Sequence, residues 1–238
     1  MSIYHKSIIA GAVEIAKIEA DPTLDVVYLE PDGTVVSANR SIFYAASPAR
    51  KEITAGLPFD SNAPLLSACA IPTKQLVDFL KSIPTDKQFK GKLEYISITT
   101  GAGNMITATI HDGRGPRTTV LRTVKPHPAT VGWRAVFKSL NKAVSGGLGR
   151  FVYNRARLNA VVSAIDAACK YDGTFSLIEQ TPFEAGYLWR AFNQLTGQYI
   201  LIAFKMLLPA DVPPVEQWER DLDARHKPVL RKILIRPR

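Results

Sequence analysis

The pattern that most narrows the fold is one helix followed by three strands, which runs through the 238 residues three times. The first helix is predicted over residues 4–18, where Ile8, Ala12 and Ile15 form an apolar stripe with Ile9, Val13 and Ala16 beside it. Strand-like runs follow at 25–29, 34–37 and 42–46, the first two separated by the turn signal Pro31-Asp32-Gly33. The second helix is predicted over 72–83. Pro72 suits a first helical position because its missing N–H has no helical partner there; Leu76, Phe79, Leu80 and Ile83 keep helical spacing, and Pro84 stops the helix. Strands are expected at 93–99, 105–111 and 118–124. The third helix is predicted over 155–170, with Asn154 as its cap and Leu158, Val161, Val162 and Ile165 along one face, and its strands at 174–179, 187–192 and 199–207. Short runs at 68–71 and 150–153 lead into the second and third helices. The extra length at 126–149 reads as a linker with one short helix, 134–144, and 210–238 as a proline-rich, charge-dense tail.

Single helices alternating with antiparallel strands argue for the α+β class, each sheet having one face covered by helices. The polar helix faces carry Lys6 and Lys17, then Lys74 and Lys81, then Arg155, Asn159 and Lys170. Laid side by side, these helices would present one basic surface backed by sheet. The net charge is +9, and residues 113–165 contain no Asp or Glu but ten Lys and Arg. A segregated basic block favours a polyanionic partner, because a local field steers phosphate. No apolar run is long enough to span a bilayer, no secretory leader is visible, and Cys69 and Cys169 sit in apolar surroundings as buried thiols. The expected setting is a reducing, cytoplasmic one without membrane contact.

No catalytic constellation is found in the sequence. His5, His111, His127 and His226 are scattered, and no His-Glu-x-x-His or Cys-x-x-Cys spacing offers a metal site. There is no Gly-x-Ser-x-Gly elbow and no Gly-x-x-x-x-Gly-Lys phosphate loop. Ser145-Gly146-Gly147-Leu148-Gly149-Arg150 is glycine-rich but lacks a strand–loop–helix setting, so it reads as flexible linker. Neither an enzyme nor a cofactor is expected.

Four stretches resemble the DNA sliding clamps, the processivity factors of replicative polymerases, and among them the beta subunit of bacterial DNA polymerase III. Ala70-Ile71-Pro72-Thr73-Lys74-Gln75-Leu76-Val77-Asp78-Phe79-Leu80 resembles the IPAKxLxDxL opening of a clamp helix. Gly132-Trp133-Arg134-Ala135-Val136-Phe137 resembles the PDYRRVL segment that leaves the middle domain. The third helix with its strands resembles the last clamp helix, and Tyr199-Ile200-Leu201-Ile202-Ala203-Phe204-Lys205-Met206 the terminal YVVMPMRL strand. More weakly, residues 36–43 sit where clamps have ATDGHRL. The chain offers three helix-plus-strands units where a bacterial clamp subunit has six, so it is similar to a truncated or divergent clamp.

The resemblance implies a DNA-clamp-like fold: a two-unit domain at 1–130, a linker at 131–149, a half domain at 150–209 and a tail at 210–238. It implies a processivity factor that tethers a polymerase or repair protein to duplex DNA without reading bases; the alternative is a clamp-derived, non-encircling nucleic-acid-binding accessory. Lys6, Lys74, Lys81, Arg155, Arg157 and Lys170 would face phosphates, with Lys138, Lys142 and Arg150 nearby. A polymerase, loader or repair protein would insert a short apolar peptide against Ser41, Ile42 and Phe43 on one side and Ile200, Ile202 and Phe204 on the other. Strand alternation then turns Leu201 and Ala203 toward the helix-covered core. Ring closure would need several copies of the chain, with the 42–46 strand pairing to a neighbour's edge.

Overall fold

The computed structural model describes residues 2–17, 23–59, 67–85, 88, 93–140, 155–170, 178–183 and 186–205. The chain divides into a unit of Met1–Met206 and a second, Leu207–Arg238, which lies outside the described residues. In order, the elements are β1 (Ser2–His5), α1 (Lys6–Ala16), β2 (Val26–Leu29), β3 (Val35–Ala38), β4 (Ile42–Ala46), α2 (Lys51–Thr54), β5 (Cys69–Pro72), α3 (Thr73–Ser82), β6 (Tyr95–Thr100), β7 (Met105–His111), β8 (Pro116–Arg122), α4 (Pro128–Val131), α5 (Trp133–Leu140), α6 (Arg155–Ala168), β9 (Ile178–Phe183), β10 (Gly186–Asn193) and β11 (Gln198–Lys205). The helix-then-three-strands pattern is present three times, and β4 and β7 have the bounds expected from sequence.

The first two units exchange their opening strands. β1 pairs antiparallel with β6 of the second unit, and β5 pairs antiparallel with β2 of the first. Two sheets result, β1-β6-β7-β8 and β5-β2-β3-β4-β11-β10-β9. The exchange makes each unit's sheet incomplete without the other. Residues 4 and 5, assigned to the first helix from sequence, instead end β1, because the Ile96 and Tyr95 backbone pairs with them. His5 then caps α1, its Nδ1 accepting from the Ser7 N–H at 3.2 Å. Pro72 closes β5 and precedes α3, whose first residue is Thr73.

The third unit joins the first through β11, which pairs antiparallel with β4 from Ile200↔Ala46 to Phe204↔Ile42. The 42–46 strand is therefore not an edge awaiting a neighbour, as the sequence suggested; β11 of the same chain already occupies it. Above this junction α1 is buried on almost every side, with Ile8, Ile9, Ala12, Ile15 and Ala16 fully enclosed between α3, α6 and the sheets. Gly11 permits that enclosure. A Cβ there would lie 2.7 Å from the Ala164 carbonyl oxygen and 2.9 Å from the Ala168 Cβ, both on α6. Ala164 and Ala168 are the small residues that receive it.

Gly11→Ala tests this contact. Replacing glycine inside a helix ordinarily gains about 1 kcal/mol, but overpacking of this kind costs about 1–3 kcal/mol and must push α1 off α6. The variant is expected to unfold at lower urea than the parent. A raised midpoint would show that α1 and α6 are not held at this distance.

Candidate nucleic-acid interface

α1, α3 and α6 lie on one face of the sheets, with α1 in the middle, and their apolar sides merge with both sheets in a single core. Their outer sides carry the charge. On α3, Lys74 and Lys81 are exposed. Its start is tied to β8 by Gln75, whose Nε2 donates to the Arg122 carbonyl at 3.3 Å while its Oε1 accepts from the Arg122 N–H at 3.0 Å. On α6, Arg155 is exposed and Arg157 half-buried; Lys170, just beyond the helix, is exposed. Lys17 at the end of α1 pairs with Glu14 at 2.5 Å. Asp78 and Asp166 are the exposed acids of α3 and α6. Counting these side chains, six cations face three acids, a mildly positive surface.

Lys6 has a different position. Its side chain is 15% exposed; its Nζ donates to the Ile83 carbonyl at 2.9 Å and lies 4.0 Å from the Glu94 carboxylate, itself 1% exposed. Burial lowers its pKa, the Glu94 charge opposes that shift, and the nearby Lys170 adds to it. Lys6 is thus a strut between the start of α1, the end of α3 and the start of β6 in the four-stranded sheet. Lys138 is exposed on α5, on the opposite side of the seven-stranded sheet from α1, α3 and α6. Lys142 and Arg150 lie outside the described residues.

The acid-free stretch does not gather into one patch. Arg117 pairs with Asp112 at 3.5 Å at the β7–β8 turn, Arg134 sits on α5, and Arg155 and Arg157 sit on α6. The Arg114 backbone N–H and the Arg117 guanidinium hold the Asp112 carboxyl below its ordinary pKa. Among the described residues no three His, Cys, Asp or Glu side chains converge to hold a metal, and no helix is long and apolar enough to cross a membrane. Neither Cys69 nor Cys169 forms a disulfide, and burial pushes Cys69 up to about 11.

The apolar row expected at a partner groove faces the other way. Ile42, Ile200, Ile202 and Phe204 are fully buried in the core under the helices, while Ser41 and Phe43 are half-buried at the start of β4. Leu201 and Ala203 turn outward, the reverse of the sequence expectation, and join Val36, Ala45 and Leu188 on the face away from α1. There α5 covers them. Phe137 inserts into this cluster and meets Phe43 edge-on, with ring centroids 6.1 Å apart. Glu30 holds the start of α5: its Oε1 accepts from Trp133 Nε1 at 3.0 Å and from Arg134 Nη1 at 2.6 Å, and its Oε2 accepts from Arg134 Nη2. Arg134 also stacks over the Trp133 ring at 4.5 Å and lies 3.5 Å from Asp32. The sequence marked the Trp133–Phe137 segment but not its clasp, because Glu30 is about a hundred residues away along the chain.

The sequence matches no family model and no curated protein. The structure is similar to the proliferating cellular nuclear antigen of Entamoeba histolytica, with a TM-score of 0.51 over 87% of this chain and 98% of that one, at 7% identity. It is also similar, at a TM-score of 0.45 and 11% identity, to the PCNA2–PCNA3 complex of Sulfolobus tokodaii, over 86% of this chain and 98% of that one. The chain has an α+β, DNA-clamp-like fold.

Glu30→Ala removes the clasp on α5 without touching the core under α1. Charge-assisted hydrogen bonds of this kind contribute about 1–3 kcal/mol. Amide exchange in α5 is therefore expected to quicken roughly 5- to 150-fold while α1 amides keep their protection. Unchanged exchange in α5 would mean that Phe137 alone secures it.

Proposed function

We propose that this chain is a non-catalytic, clamp-like protein that lays the α1–α3–α6 layer along duplex DNA and tethers a polymerase, loader or repair protein to it. The observation that carries the reading is the helix layer itself: three side-by-side helices, backed by sheets, with Lys74, Lys81, Arg155, Arg157 and Lys170 on their outer sides. A mild excess of cations that touch only phosphate holds a duplex without fixing its register, which is what movement along DNA requires. The bacterial polymerase III beta subunit is the sequence-level likeness, with this chain a shortened or divergent form working in the cytoplasm. Residues 1–130 are read as one clamp-like domain, 131–149 as the connection, 150–209 as half a domain and 210–238 as a tail. A partner's apolar peptide would meet the half-buried Ser41 and Phe43 at the rim of the outward face.

Ring closure would join β8 of one copy to β9 of the next, each an end strand of its sheet, with β1 and β5 at the other ends. One observation favours the alternative, a non-encircling accessory. β8 begins with Pro116 and carries exposed Arg117 and Arg122, features that blunt an edge strand against pairing. Mass photometry separates the two. A closed species of several copies is expected for a ring, and a strictly monomeric chain at tens of micromolar would leave the accessory.

The DNA reading is tested by duplex affinity against salt. Lys74→Ala, Lys81→Ala and Arg155→Ala are each expected to flatten the log–log slope by about 0.9, the value for one phosphate contact. Lys6→Ala is expected to lower thermal stability and leave the slope unchanged. Salt-independent binding, or a triple variant of the three surface positions that binds like the parent, would sink the proposal.

A further inference from the structure

The outward face of the seven-stranded sheet carries a second built surface, at the β10–β11 hairpin. Phe192 and Tyr199 are cross-strand partners with ring centroids 4.9 Å apart, and Tyr199 is 56% exposed. Its backbone is fixed, since its N–H donates to Ser47 Oγ at 2.9 Å and its carbonyl accepts from the Ser47 N–H at 2.9 Å. Arg50 lies over the Phe192 ring, its guanidinium carbon 5.6 Å from the centroid, so Tyr199 is the ring of the pair that stays open to solvent. Its N–H donates to the Thr196 carbonyl at 3.2 Å, and its stem lies on Gly197, where an added Cβ would come within 2.6 Å of Arg50 Cγ and Cδ. Gly197 also has φ +65°, a conformation that suits glycine at this turn. The turn itself is pinned to the helix layer by Asn193, whose Oδ1 accepts from the Thr196 N–H at 2.9 Å and whose Nδ2 donates to the Ala168 carbonyl at 2.5 Å.

We propose that Tyr199, Phe192 and Arg50 form a stacking platform for single-stranded nucleic acid, separate from the helix layer. An exposed aromatic ring offers a face to a base, and a cation held beside it meets the next phosphate; this pairing of stacking and charge is how single strands are held without sequence choice. A duplex keeps its base faces stacked inside and cannot use the ring. The charge at the site favours a polyanion over an apolar peptide: Arg50 and the adjacent exposed Lys51 belong to a chain of net +9, with Glu52 the acid of the same short helix. Unlike Arg134, whose guanidinium Glu30 and Asp32 engage, Arg50 is held by a ring and a backbone.

The test uses the full chain and a fluorescent twelve-residue oligothymidylate, read by anisotropy. Tyr199→Ala is expected to weaken binding roughly 5- to 150-fold, and Tyr199→Phe, which keeps the ring, to stay within about twofold. Arg50→Met keeps the stem on Gly197 and is expected to flatten the salt slope by about 0.7, the single-strand value for one phosphate. Arg114→Ala at the β7–β8 turn, an exposed cation outside both surfaces, is expected to leave the oligonucleotide affinity unchanged. Thermal melts check that the variants fold; if Tyr199→Ala does not, the Arg50→Met slope decides. No binding by the parent overturns the proposal and leaves the patch to a polypeptide partner. Tyr199→Ala or Arg50→Met binding like the parent, or a loss of affinity in Arg114→Ala equal to that in Tyr199→Ala, also overturns it.

Discussion

The approach of α1 to α6 at Gly11 sets the geometry of the helix layer. α1 is too apolar to sit at a surface, and its stripe runs nearly all the way round, so it needs a helix on each side and sheet beneath. The first two units supply α3 and the sheets. Only the third unit supplies the second flanking helix, and α6 reaches α1 because a glycine faces Ala164 and Ala168. Close packing of this kind tolerates little change in volume. The β4–β11 pairing below it places the same third unit from the sheet side. Two independent contacts thus align the third unit with the first, and the outer sides of the three helices form one surface as a consequence.

The opposite face is organised by a carboxylate. Glu30 follows β2 directly and is nearly buried, and it gathers an indole N–H and a guanidinium from a helix far along the chain. A buried carboxylate costs free energy unless its oxygens are bonded, so the clasp and the placement of α5 depend on each other. With Phe137 packed on Phe43, α5 covers apolar strand residues that would otherwise face water. The two sides of the seven-stranded sheet therefore differ in kind. One is a broad core under three helices; the other is a smaller cluster under one short helix, with the Phe192–Tyr199 pair beyond it.

Much of the element order was readable because its periods are clean: α3 keeps helical spacing between two prolines, and β7 alternates buried and partly exposed residues. The orientation of β11 was not readable. Ile200 to Phe204 is apolar at every position, so the two-residue period that tells one face from the other carries no signal, and nothing local marks Leu201 and Ala203 as the outward pair. β1 was hidden because Ser2–His5 runs straight into a helix, and only its pairing with β6 distinguishes it. Lys6 reads as a surface cation on a helical wheel, yet Glu94 and the Ile83 carbonyl, both distant in sequence, draw it inward. Lys74, Lys81 and Arg155 were readable as site candidates because local periodicity alone decides their exposure. Arg50 gave no signal, since its role depends on a ring and a glycine more than 140 residues away.

Cross-linking to duplex DNA from single cysteines tests most directly which side meets the nucleic acid. Ser163 is exposed on α6 within the helix layer, and Thr118 is exposed on the outward face of β8, opposite Thr109. With a cysteine-attached photoreactive group, Ser163→Cys is expected to cross-link to a duplex, and Thr118→Cys to give no more than the parent chain with its native Cys69 and Cys169. Cross-linking from position 118 but not 163 would place the duplex on the sheet side and contradict a clamp-like use of the three helices.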